Sequence, residues 1–88
     1  MGWVDVNAFT MPYQVFMAFG HERPRRVASF ESYAVARSAA IRRVQMKNQI
    51  RQPMYAAVRV GCKEVFEVSR VENPDGSSWV VVDREEFP

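Results

Sequence analysis

Cys62 and His21 are the chain's single thiol and single imidazole, so nucleophilic or metal chemistry would have to run through them. Cys62 lies beside Lys63, and a neighbouring cation favours the thiolate. His21 is its one candidate imidazole partner, and no Ser or Asp spacing completes a triad around it. A lone Cys more often serves as a small hydrophobe, and His21 in a polar turn reads as a hydrogen-bonding loop residue. One Cys and one His cannot supply zinc's ligands unless carboxylates do most of the work. No glycine-rich phosphate loop, dinucleotide fingerprint or zincin motif is present. The sequence therefore predicts no catalytic site, no metal and no cofactor.

The cations are the stronger signal. The chain holds 12 Lys+Arg against 10 Asp+Glu, a formal charge of +2, and these charges are segregated. Arg23, Arg25 and Arg26 face only Glu22 in one turn, a net +2. The stretch 32–52 carries Arg37, Arg42, Arg43, Lys47 and Arg51 with no acid, a net +5. From Glu72 onward, Asp75, Asp83, Glu85 and Glu86 join Glu72 against Arg84, a net −4. Arg43, Lys47 and Arg51 stand at i, i+4 and i+8, on one helix face, where like charges repel by about 0.2–0.5 kcal/mol per pair. Two outcomes fit: a solvated basic face matched by the acidic C-terminal segment folding back, or a patch for phosphates or an acidic protein surface. Ten of the twelve cations are Arg, whose planar fork suits carboxylate and phosphate, although a GC-rich coding sequence gives the same bias. Arg37 falls in the middle of the apolar helix stripe, so its stem should snorkel along apolar surface to an edge.

These residues need elements to hold them. Fourteen valines and no leucine favour strands, because Val is stiff at χ1 and fits a pleated surface. Tyr13 to Phe19 alternates as a strand, 20–25 reads as a polar turn, and Arg26 to Phe30 returns. Residues 32–52 lack Gly and Pro and are rich in Ala, which predicts a helix ended by Pro53. Ser29 or Ser32 is the candidate cap, with Glu31 in the first turn. Phe30, Tyr33, Ala34, Ala40, Ile41 and Val44 form the expected core stripe. Val35, Ala39, Met46 and Ile50 make a second apolar strip on the opposite side, which calls for a partner, a second copy of the chain among the candidates. Met54–Val60, Glu64–Val71 and Trp79–Asp83 read as a meander joined at Gly61-Cys62-Lys63 and Asn73-Pro74-Asp75-Gly76. Trp3, Tyr13, Tyr55 and Trp79 would stack on bases if exposed, but strand positions favour core packing. The expected fold is α+β, an antiparallel sheet with one long helix on one face in the order β-β-α-β-β-β. It forms a single domain over 1–88, with 1–12 as an N-terminal arm or edge strand and 84–88 as a short acidic tail. A chain of this length should bury roughly 60–65% of its unfolded surface.

An unpaired Cys fits a reducing compartment. The N-terminal stretch lacks a basic n-region and carries Asp5, so it does not read as a signal peptide. No apolar run approaches the ~20 residues that span a bilayer. The expectation is a soluble, cytoplasmic, non-enzymatic protein.

The stretch from Phe30 to Asp83 resembles small phage- and prophage-encoded proteins of the anti-CRISPR type. The matching pieces are "SYAVARSAA", "MYAAVRV", "EVFEVSRV" and "PDGSSWVVVD": an Ala-rich helix, a strand, then a hairpin closing on Gly and Trp. The resemblance implies a stoichiometric inhibitor that seats exposed charged residues on a host protein or ribonucleoprotein effector in the bacterial cytoplasm. It carries over no set of binding residues. The candidate contacts therefore come from charge alone: Arg23, Arg25, Arg26, Arg43, Lys47 and Arg51, with Val35, Met46 and Ile50 as the dimer or partner strip. Inhibitors that imitate DNA present acidic surfaces, and this chain's main patch is basic. A nucleic-acid-binding module using the same basic surface is the alternative.

Overall fold

The computed structural model describes residues 11–20, 22–45 and 55–86. Five strands and one helix follow the expected order: β1 (Tyr13–Ala18), β2 (Arg25–Phe30), α1 (Tyr33–Gln45), β3 (Tyr55–Val60), β4 (Lys63–Glu72) and β5 (Ser78–Glu85). Every pairing is antiparallel, in the spatial order β2-β1-β3-β4-β5. The last three strands form the meander that their short loops demand. α1 carries the chain from β2 past β1 to β3, and it packs on one face of the sheet.

The alternating valines place the core between sheet and helix. Val15, Val58, Phe66 and Val68 are fully buried, as are Ala36, Ala40 and Val44 on α1. The buried helix stripe thus runs at i, i+4 and i+8, and two of its three residues are alanine. Ala36 takes the place expected of Ala34, which is exposed.

Capping also differs in detail. Ser32 is the N-cap: its Oγ accepts from Val35 N at 3.4 Å, and its carbonyl accepts from Ala36 N at 3.0 Å. Glu31 therefore precedes the cap, and the first turn holds no acid.

Three register slips shape the sheet. Each leaves one extra residue, at Val27 on β2, Val65 on β4 and Asp83 on β5. The slip at Val65 lets two consecutive residues, Val65 and Phe66, both join the core cluster. The slip at Asp83 lets β5 run on through Glu85, so Arg84 and Glu85 belong to a strand rather than to a tail. Gly61 (φ 64°) opens the two-residue β3–β4 loop, the left-handed position of a type II′ hairpin. The expected continuation of the helix to 52 and the N-terminal arm over 1–10 lie outside the described residues.

Candidate binding surface

Strand register assigns each charge to an end of the sheet. At one end lie the N-terminus of α1, the β3–β4 turn and the last residues of β5. Every described cation there has a carboxylate. Arg37 donates from Nε to Glu85 Oε1 at 2.5 Å, and from Nη2 to Oε2 at 3.4 Å. Its guanidinium also stacks 5.0 Å from the centroid of Phe66, so Arg37 lies along apolar surface and reaches an acid at the rim. The guanidinium holds the Glu85 carboxyl below its ordinary value, and Glu85 raises Arg37 in turn. Tyr33 donates its hydroxyl to the same carboxylate at 3.3 Å. Burial first, then the Glu85 charge, push that phenol upward. Lys63 approaches Glu86 at 3.6 Å.

On the sheet face away from the helix, the charges form a chain across three strands. Arg59 stacks 4.3 Å from the Phe16 centroid and donates from Nε and Nη2 to Glu64 Oε1 at 3.0 and 2.7 Å. Tyr55 donates its hydroxyl to Glu67 at 2.8 Å, with Glu64 at 3.4 Å, and Arg84 reaches Glu67 at 3.4 Å. The two carboxyl groups, both beside the Tyr55 hydroxyl, act on each other: Glu67, helped by Arg59, lowers Glu64, and Glu64, helped by burial, raises Glu67. Burial, reinforced by both acids, pushes the Tyr55 phenol well above its ordinary range. This relay uses Tyr55 and Phe16 as structural groups. Tyr13 meets Tyr33 edge-on at 6.0 Å, and it packs against the core. Among the described aromatic candidates for base stacking, Trp79 alone is exposed.

The opposite end carries the β1–β2 turn, the C-terminus of α1 and the β4–β5 hairpin. Arg23, Arg25 and Arg26 are exposed in the turn and the start of edge strand β2. Register pairs Arg25 with Met17 on the helix side of the sheet, and Arg26 with Phe16 on the other side. Arg42 and Arg43 occupy the last turn of α1, where the helix dipole favours cations. None of these five guanidiniums makes a hydrogen bond or ion pair with a described residue, and the buried Nε of Arg43 has no acceptor. The acidic C-terminal segment does fold back onto α1, but it meets Arg37 and leaves Arg42 and Arg43 unmatched. Asp75, in the β4–β5 hairpin of the same end, accepts instead from Ser77 N and Oγ at 2.9 and 2.6 Å within its own turn. Those bonds hold its carboxyl below the ordinary range.

Beside the unmatched arginines lies an apolar groove of about 620 Å³ along the flank of α1. Phe30, Ala34, Val35 and Ala39 line it, and Arg42 and Arg43 close one end. Val35 is 51% exposed. Of the expected partner strip, then, Val35 fronts this groove, while Ala39 also packs against the core. Met46 and Ile50 lie outside the described residues, as do Lys47, Arg51 and His21. Arg42 is the groove residue that the charge pattern passed over, because its i, i+4 neighbours are less basic than those of Arg43. Cys62 is exposed in the β3–β4 turn, and no three described His, Cys, Asp or Glu residues gather as metal ligands do. No described helix is long and apolar enough to cross a membrane.

Compared with protein-family models, with curated proteins and with solved structures, the chain matches none of them.

Proposed function

We propose that this chain is a small non-enzymatic binding protein of the inhibitor type, which seats its basic end on an acidic face of a host protein or nucleoprotein complex. One observation carries the reading: five arginines with no acid partner among the described residues, Arg23, Arg25, Arg26, Arg42 and Arg43, lie at one end of the sheet, while a carboxylate lies near each of the other described cations. Exposed unpaired arginine is the cation that forks onto carboxylates at interfaces. The groove floored by Phe30, Val35 and Ala39 supplies the apolar centre that such interfaces bury. A CRISPR effector is the specific partner that the helix-strand-hairpin layout suggests. The test is co-elution with a panel of effector complexes, using the wild type and the Arg25→Glu/Arg42→Glu/Arg43→Glu variant. A complex with the wild type that the variant loses supports the reading; no complex with any effector removes the specific partner.

The same arginines favour a second reading, a module that grips a nucleic-acid backbone. It predicts DNA or RNA binding that weakens steeply with salt as counterions are released. The absence of a mobility shift at low salt would eliminate it. The apolar groove tips the balance toward protein, because a phosphate backbone has no use for an exposed Val35.

A further inference from the structure

Arg70 sits where the alternation of β4 asks for an apolar side chain. It follows Phe66 and Val68 on the helix side of the sheet and pairs with Val80 across β5. Its side chain is only 4% exposed, yet neither Nε nor Nη1 has a hydrogen-bond acceptor. Glu72, the nearest carboxylate, stands 3.8 Å from Nε, beyond hydrogen-bond reach, and is itself mostly exposed. A buried guanidinium with unused donors is costly to keep unless something accepts from it. The space around it can hold an acceptor. Val44 and Gln45 from the last turn of α1, with Ser78, Trp79 and Val80 from β5, join Arg70 in lining a cleft of about 260 Å³. Its walls are apolar at Val44 and Val80 and polar at Gln45 and Ser78.

We infer that this cleft is a binding site for a carboxylate on a short apolar stem, with the Arg70 guanidinium taking the carboxylate and the two valines the stem. Two sources carry that chemistry: a free short-chain organic acid, and the carboxyl end of a peptide. The site is distinct from the unpaired arginines of the proposed docking surface. Its test needs no partner protein, so the two readings fail separately. Glu72 competes for the same donors from outside.

The experiment follows the amide resonances of residues 44, 45, 70 and 78–80 and the Arg70 Nε–H signal. Butyrate, acetyl-Ala-Val with a free carboxyl end, the same dipeptide amidated, and sodium chloride at matched ionic strength are titrated in turn. Saturable shifts with butyrate assign the free-acid source; shifts with the dipeptide acid that its amide does not reproduce assign the peptide end. Arg70→Met, which keeps the length of the stem, should weaken either by about tenfold or more, the factor a charge-assisted hydrogen bond carries. The same variant should melt no lower than the wild type, since it removes a buried charge without an acceptor. Responses no larger than those to chloride, or unchanged in Arg70→Met, would overturn the site. So would a marked loss of stability in that variant, which would make Arg70 a structural partner of Glu72.

Discussion

The two ends of this sheet use the same residue types differently. At the end where β5 finishes, Arg37, Arg59 and Lys63 are each matched to an acid, and two of the three guanidinium or ammonium groups also lie over an aromatic ring. At the end where α1 finishes, five arginines have no acid partner among the described residues, and two of them, Arg42 and Arg43, border an apolar groove. The difference cannot be read from net charge, which is near zero for the whole chain. It lies in where the strands bring the carboxylates. A charge with an intramolecular partner is committed to the fold, and a charge without one is available to something else.

Both ends hang on one core, and removing its largest side chain gives the largest expected effect. Phe66 is fully buried beneath α1 and supports the Arg37 guanidinium. Phe66→Ala should cost about 3–5 kcal/mol, as large-to-small changes of buried aromatics do. Urea denaturation measures it. A cost below about 1 kcal/mol would mean that the two ends do not share a core.

The paired end should next respond to Glu85→Gln. Arg37 lowers the Glu85 carboxyl in the folded state, so the stabilisation is present above the unfolded value, about 4.3, and is lost as pH falls through the depressed folded value. The variant should therefore be less stable than the wild type at pH 7, with the gap closing in acid. High salt should narrow it too, because both side chains are partly exposed. A gap that stays constant with pH would break the assignment of this end as ion-paired.

The relay on the open face has the opposite sign at one of its members. Glu67 is raised, so its contribution is present below the unfolded value and is lost as pH rises through the elevated folded value. Glu64 is lowered and follows the Glu85 pattern. Relative to the wild type, Glu67→Gln should therefore gain between pH 4 and pH 7, while Glu64→Gln should lose over the same range. Thermal melts at the two pH values separate them, and parallel behaviour would show that the two carboxyl groups do not shift each other in opposite directions.

The sequence made the elements legible because period and punctuation are local. Alternating valines, an Ala-rich stretch and glycine turns each act over a few residues, and they gave the order of strands and helix. The pairing of charges was not legible, because it depends on register over long separations. Arg37 finds Glu85 only because β5 slips past Asp83 and runs two residues beyond the expected end of the strand. Arg70 was missed for a similar reason. In the sequence it is one more arginine in a polar-apolar alternation, and the packing of α1 against β4 and β5 is what buries it. The basic turn and the last helix turn were legible as charge, but not as neighbours at one end of the sheet.

The smallest effect sharpens the comparison most. Neutralising the unmatched arginines should leave stability almost unchanged, and two opposed terms decide how nearly. Arg42 and Arg43 lie in the last turn of α1, where a cation gains about 0.3–1 kcal/mol from the helix dipole at low salt. Against this, the five unmatched charges repel one another, with about 0.2–0.5 kcal/mol for each close like-charged pair. Arg23, Arg25 and Arg26 have the repulsion without the dipole. Arg25→Gln/Arg26→Gln should accordingly be neutral or slightly stabilising, and Arg42→Gln/Arg43→Gln neutral or slightly destabilising, each within about 0.5 kcal/mol of the wild type, the range of surface changes. Denaturant midpoints in low and high salt read both terms, since salt screens dipole and repulsion alike and should draw the two variants together. A loss near 2 kcal/mol in either variant would mean that these arginines are committed to the fold after all, and the contrast between the two ends would disappear.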